Sequence, residues 1–257
     1  MPRQARKKSE SGIYHLMVRG INRQDIFQEE EDYQRFLETI SRMKNNNQFE
    51  LYGYCLMTNH IHLLIREKEE EVSRSMQRIG TSYAWWYNAK YNRVGHVFQD
   101  RYKSECVEDD AYLLSVIRYI HQNPVMAKMT IKPEDYRWSS CRAYYGQNEY
   151  PTGLTNKEFI LGLFADKETV AIKRFAEYMQ EENQDACLDD EIKLRLSDAN
   201  LITEIEAILN GEPIAALQTM EKRKRNELLR KIKTIKGSTQ RQIARVTGLK
   251  LNIIFKA

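Results

Sequence analysis

His60 and His62 flank Ile61 in the run Cys55-Leu56-Met57-Thr58-Asn59-His60-Ile61-His62-Leu63-Leu64-Ile65. The apolar and β-branched residues that follow read as a strand. Side chains alternate across a strand, so the two histidines share one face while Ile61, Leu63 and Ile65 point to the core. Two imidazoles held side by side on a strand form half of a site for a divalent cation. Taken alone, a His-x-His pair more often reads as including a satisfied surface histidine of no chemical role. A second candidate stands further along, where Tyr119 and Asn123 precede Pro124. Four residues apart on a helix, a phenol and an amide lie on one face about a turn from each other. Alone, Tyr119 is one of 15 tyrosines and reads as a packing residue, and Asn123 reads as a helix-end residue before proline.

The elements that must position these groups follow from the hydrophobic period. Strands are expected over 13–19, 49–57, 60–66 and 102–107. Helices are expected over 30–46, 72–91 and 109–122, the last stopped by Pro124. Thr58-Asn59 is short enough for a hairpin turn. The order strand, helix, strand, strand, helix, strand predicts an α+β fold, the ferredoxin-like split βαβ arrangement: a four-stranded antiparallel sheet with helices on one face. The histidines are expected on the open face. On the helix before Pro124, Leu113, Ile117 and Ile120 form the buried stripe, Tyr112, Tyr119 and Asn123 flank it, and Arg118 and Gln122 face solvent. His121 points away from Tyr119. His15 and His96 are open between a DNA contact, a supporting role and a purely structural one.

At 257 residues with 42% apolar content the chain predicts a main domain and a smaller one. The expected division is 1–150, then a helical extension and linker over 151–190, then a small all-α domain over 191–257. Helices in that last part are expected over 201–210, 215–235 and 239–255. No apolar run approaches the ~20 residues needed to cross a bilayer, and the basic start runs into Ser9 and Gly12 where a secretory signal would be apolar. Cys55, Cys106, Cys141 and Cys187 are scattered, which argues against a zinc knuckle or disulfide scaffold and predicts a cytoplasmic protein. The net charge of +4 permits nucleic-acid binding without demanding it. The acidic run over 29–32 is expected as a solvated helix start.

Met57-Thr58-Asn59-His60-Ile61-His62-Leu63-Leu64 resembles the histidine–hydrophobic–histidine motif of the IS200-like single-tyrosine transposases. Ile117-Arg118-Tyr119-Ile120-His121-Gln122-Asn123-Pro124-Val125 resembles their nucleophile helix, more narrowly that of the branch associated with repetitive extragenic palindromes. Tyr14-His15-Leu16-Met17-Val18-Arg19-Gly20 and Gly95-His96-Val97-Phe98-Gln99-Asp100-Arg101-Tyr102-Lys103-Ser104 also look like that branch. The likeness spans roughly residues 2–145, and Thr58 departs from it where proline is common. It implies that His60, His62 and Asn123 hold Mg²⁺ or Mn²⁺, and that Tyr119 attacks phosphorus. The product would be a 5′-phosphotyrosine and a free 3′-hydroxyl. The implied activity is that of a metal-dependent single-strand DNA endonuclease and strand transferase acting at hairpins, as a monomer or homodimer. The alternative is a domesticated, non-cleaving nucleic-acid-binding regulator on the same fold. A metallohydrolase with water as nucleophile is a further rival.

For DNA contacts the candidates are Arg19 in the first family-like segment, and Arg93, Arg101 and Lys103 in or beside the second. Arg3 and Arg6 lie in a basic arm that is either a DNA-tracking segment or a solvated tail. Within Tyr83-Ala84-Trp85-Trp86-Tyr87, the residues Tyr83, Trp86 and Tyr87 have core spacing and only Trp85 stands apart as a stacking platform. Near the C-terminus, Thr239 and Gln242 form a capping box, Thr247-Gly248-Leu249 a turn, and Lys250 opens a second basic helix. This outline of a helix-turn-helix resembles the DNA-binding end of bacterial replication initiators.

Overall fold

The computed structural model describes residues 6–46, 48–181, 187, 197–235 and 237–256. Arg3 and most of the expected linker over 180–190 lie outside them. The chain divides into two compact units, 1–188 and 189–257.

In the first unit β1 (Ile13–Arg19), α1 (Glu30–Asn45), β2 (Phe49–Leu56), β3 (His60–Glu67), α2 (Val72–Lys90), β4 (Lys103–Cys106) and α3 (Asp110–Met126) follow in order. The sheet order is β2-β3-β1-β4, with every neighbouring pair antiparallel. This is the expected α+β split βαβ topology. One face carries Tyr14, Leu16, Val18, Ile61, Leu63 and Ile65, packed against Phe36, Leu37 and Ile40 of α1 and Ile79 and Tyr83 of α2.

The acidic start of α1 is not simply solvated. Asp32 is fully buried. It accepts the backbone N–H groups of Gln28 (2.6 Å) and Glu29 (2.9 Å), Lys90 Nζ (2.8 Å) and the Tyr91 hydroxyl (2.8 Å). Burial opposes its charge, yet these donors, Lys90 first, hold its carboxyl below the usual range.

The second face of the sheet is not open, as the period alone suggested. Ile13, Tyr52, Cys55 and Leu64 on that face pack against Leu113, Val116, Ile117 and Ile120 of α3. Gly53 permits the approach, because a Cβ there would stand 2.3 Å from Ile117 Cδ1. The chain continues through α4 (Cys141–Tyr144), α5 (Lys157–Gly162) and α6 (Glu168–Gln180). Ile160, Leu161, Phe175 and Met179 of α5 and α6 extend the same core. Arg118 and Gln122 therefore do not face solvent. Arg118 lies 4.0 Å over the Tyr178 ring, and Gln122 Nε2 donates to the Met179 carbonyl at 2.8 Å. Both polar side chains clamp the end of α6.

The Asp109 side chain caps α3 by accepting from Tyr112 N–H at 2.7 Å. Pro124 lies inside the helix rather than ending it. Its fixed φ suits a helix and its missing N–H removes a single bond to residue 120. Ala127 N–H resumes the ladder on the Asn123 carbonyl at 3.0 Å. Asn123 is thereby an interior helix residue, not a terminal one.

The second unit holds α7 (Asp198–Ile208), α8 (Ala216–Thr219), α9 (Lys222–Lys233), α10 (Gln240–Thr247) and α11 (Leu251–Lys256). Its core is Leu201, Ile205, Leu217, Leu229, Ile232, Ile243, Leu249 and Ile254. The helix expected over 215–235 is broken where Met220 and Glu221 are extended. Thr239 caps α10 by accepting from Gln242 N–H at 3.1 Å, while Gln242 Nε2 reaches Asp198 of α7 at 2.9 Å. Gly248 ends α10 at φ 68°, a conformation that side-chain-bearing residues rarely adopt.

Candidate active site

Register decides which side chains meet. Arg19 of β1 pairs with His60, Met17 with His62, and His15 with Leu64; on the other side of β1, Lys103 pairs with Met17 and Glu105 with His15. Paired residues share a face, so Arg19, His15, His60, His62, Lys103 and Glu105 all project toward the α3 side of the sheet. The hairpin expected at Thr58-Asn59 closes through Met57 N–H to the His60 carbonyl at 2.8 Å.

On this face the His60 and His62 rings stand edge to face, with centroids 5.1 Å apart. Tyr119 of α3 reaches down onto them, its ring 5.6 Å from His62 and 6.0 Å from His15. Tyr119 and His62, one of the histidine pair, therefore meet within one chain. Asn123 is buried one turn further along α3, with its Cα about 6 Å along the axis from that of Tyr119.

Two neighbours that the period did not single out orient the histidines. Asn59 Nδ2 donates to the Arg23 carbonyl (3.2 Å), which turns its Oδ1 toward His60 Nδ1 at 2.7 Å. Because that oxygen only accepts, the proton sits on His60 Nδ1 and the lone pair on Nε2. His15 Nε2 lies 3.0 Å from His62 Nδ1. Both rings are fully buried. Burial, with His15, His60 and Arg19 around it, holds His62 well below the ordinary imidazole range, so it is neutral. Asn59 carries a faint signal in the sequence, since it is a turn residue adjacent to a histidine. His15 lies in a family-like segment of the sequence, where a supporting role was one of several open to it.

The donor set fits a divalent cation. His62 Nε2 is buried and accepts or donates no hydrogen bond. Such an orphaned nitrogen is costly unless something binds it. A neutral imidazole with its Nδ1 engaged by a neighbour is the form that ligates metals. Among the described residues no three His, Cys, Asp or Glu side chains converge as a metal-binding group. Two imidazoles alone are thus a sparse set, which leaves positions for further ligands, water and phosphate oxygens.

Residues 8–123 match the family model described as "Transposase IS200 like". That segment is similar to an IS200-like transposase domain and spans 116 of the 257 residues. The matched segment holds all four strands together with His60, His62, Tyr119 and Asn123. Among solved structures, one similar to this chain is "Structure of the REP associates tyrosine transposase bound to a REP hairpin", at 18% identity and a TM-score of 0.49, covering 59% of this chain and 89% of that one. No curated protein matches.

The remaining residues singled out in the sequence scatter. Arg19 and Lys103 stand on the histidine face. Arg93 Nη2 donates to Gln24 Oε1 at 2.9 Å and its guanidinium lies 5.5 Å from the Tyr87 ring. Arg6 stacks on Tyr102 at 3.7 Å. It joins Arg101, Val18, Phe36 and Ile79 around a cavity of about 380 Å³ on the opposite side of the sheet. Lys250 is exposed in the second unit, at the turn before α11. His121 is buried against Ser140 Oγ at 2.8 Å, and burial lowers its pKa to about 3. His96 is exposed in a loop. Tyr83 and Tyr87 are core residues, and only Trp85, 73% exposed, is free of that core. Among the described residues no helix is long and apolar enough to cross a membrane.

Proposed function

We propose that this chain is a metal-dependent single-strand DNA endonuclease and strand transferase that cuts beside DNA hairpins of palindromic repeats, with Tyr119 as nucleophile. The observation that carries this reading is the meeting of Tyr119 with His62, one of the histidine pair, in one subunit, beside a buried His62 nitrogen that has no hydrogen-bond partner. The preference for hairpins rests on the motifs over residues 14–20, 95–104 and 117–125.

His60, His62 and Asn123 would hold Mg²⁺ or Mn²⁺, which when bound polarises a phosphate and offsets charge as the transition state develops. Arg19 and Lys103 bind the DNA backbone on the same face and hold the scissile phosphate against Tyr119. The Tyr119 oxygen attacks phosphorus: its O–P bond forms, the P–O3′ bond breaks, and the phenol proton is lost as the 3′-oxygen gains one. The phosphodiester becomes a 5′-phosphotyrosine ester, so rejoining by a 3′-hydroxyl needs no ATP. A phenol with an ordinary pKa of ~10 attacks slowly at neutral pH, which makes the nearby positive charge part of its activation. The second unit, with α10, the Gly248 turn and α11 carrying Lys250, adds a duplex-binding module of helix-turn-helix form.

The test is incubation of the full chain with end-labelled hairpin DNA and Mn²⁺, followed by a denaturing gel. The expected result is a covalent adduct with wild type and none with Tyr119→Phe. Tight binding without an adduct favours the non-cleaving regulator, and cleavage without an adduct favours a water nucleophile.

A further inference from the structure

We infer that His15 is a positioning residue for His62, held in turn by Glu105, and that this line across β4, β1 and β3 dictates which nitrogen of His62 carries the proton. His15 pairs with Leu64 in register and reaches diagonally to His62, where Nε2 meets Nδ1 at 3.0 Å. On its other side Glu105 pairs with His15, and its Oε2 stands 3.8 Å from His15 Nδ1.

At 3.8 Å the Glu105 contact is electrostatic rather than a hydrogen bond, and it favours one arrangement of protons along this line. A carboxylate accepts and does not donate, so a single proton on the His15 ring is placed best on Nδ1, facing Glu105. The His15 Nε2 lone pair then accepts from His62 Nδ1–H. The His62 Nε2 lone pair is left with no hydrogen-bond partner, on a ring whose centroid is 5.6 Å from that of Tyr119. The reverse arrangement places a lone pair of His15 against the carboxylate and a buried N–H of His62 against nothing. Both features are unfavourable in a water-poor site. Glu105 is fixed from outside as well. It accepts from the Tyr112 hydroxyl, whose pKa is raised by burial and then by this carboxylate. Tyr112 sits on α3, so the helix that delivers Tyr119 also anchors the far end of the line.

For its chemical purpose the line rests on the nuclease reading; its proton positions do not. Nitrogen-15 NMR of the histidine rings in the metal-free full chain reads those positions directly. Wild type is expected to carry the His62 proton on Nδ1. His15→Phe keeps the ring volume but removes the acceptor, and moves the His62 proton toward Nε2. His15→Gln restores an acceptor near the old Nε2 and restores the wild-type pattern. Glu105→Ala, a surface change, blurs the His15 tautomer if His15→Phe fails to fold. In calorimetric titration with Mn²⁺ alone, His15→Phe is expected to bind ~10–100-fold more weakly and His15→Gln close to wild type.

A His62 proton on Nε2 in wild type, or a pattern unchanged by both His15→Phe and Glu105→Ala, overturns the inference. In either case a Tyr119 adduct can still form, and the nuclease reading then stands. The converse result, with Nδ1 protonated but neither Mn²⁺ binding nor an adduct, sinks the nuclease reading and leaves the line intact.

Discussion

The ring of Tyr119 stands edge-on to that of His62, with centroids 5.6 Å apart and planes at 82°. One comes from α3 and the other from β3, and the sheet's fourth strand lies between them in the chain. What unites them is the docking of α3 across the second face of the sheet. The consequences of that docking can be measured.

Asn59 orients His60 as His15 orients His62. Asn59→Ala is expected to weaken Mn²⁺ binding by ~10–100-fold while leaving thermal unfolding nearly unchanged, since Asn59 is only partly buried. Asn59→Asp keeps the acceptor oxygen and recovers most of the affinity. Equal losses in the two variants, read by titration calorimetry, would refute the orienting role.

Gly53 lets α3 lie close to the sheet. Gly53→Ala forces Ile117 Cδ1 out of a filled core. The expected cost is about 1–3 kcal/mol by urea denaturation. Because Tyr119 lies two residues beyond Ile117, adduct formation should fall further than stability explains. A variant as stable and as active as wild type would show that α3 needs no such approach.

Arg19 and Lys103 stand on the histidine face, whereas Arg93 is committed to Gln24. Lys103→Ala and Arg19→Ala should each lower the slope of log K against log salt for single-stranded DNA by ~0.7. Arg93→Ala should leave it unchanged. Fluorescence anisotropy across a salt series distinguishes them, and a reduced slope for Arg93→Ala would place the DNA path elsewhere.

Asp32 ties stability to pH. Its folded pKa is depressed below the ordinary 3.8, so the stability it contributes is present above that value and is lost as the pH falls from there through the folded value. Asp32→Asn should cost about 1–3 kcal/mol at neutral pH and flatten the acid limb of the stability curve. An unaltered limb in denaturant melts from pH 5 to pH 2 would assign acid unfolding to other carboxylates.

Strand alternation made the shared face of His60 and His62 legible, and the element order made the sheet legible. Alternation does not say what covers a face, and here it misled. The clue was in β2, where Leu51, Tyr52, Tyr54, Cys55 and Leu56 are apolar on both parities, the pattern of a strand buried on both sides. Arg118 and Gln122 looked solvated because polarity was equated with exposure, yet each makes its hydrogen bonds to the end of α6. Pro124 looked like a stop because its lost bond was weighted above a φ that helices accept. For His15 the choice among its possible roles stayed open for another reason. Its partner is set by the register between β1 and β3, and register depends on contacts distant in the chain.

The His62 nitrogen without a partner has a consequence for how durable this fold can be. An unsatisfied buried polar atom costs ~1–3 kcal/mol, a sizeable share of what keeps a domain folded. Elsewhere on this face the sheet carries Ile13, Tyr52 and Leu64, which pack without such a penalty. A double replacement of His15 and His62 by apolar residues of similar volume should therefore yield a chain that melts no earlier than wild type, or later, and does no chemistry. On the nuclease reading, stability and reactivity would draw on the same few square ångströms, with robustness given up to keep one lone pair available.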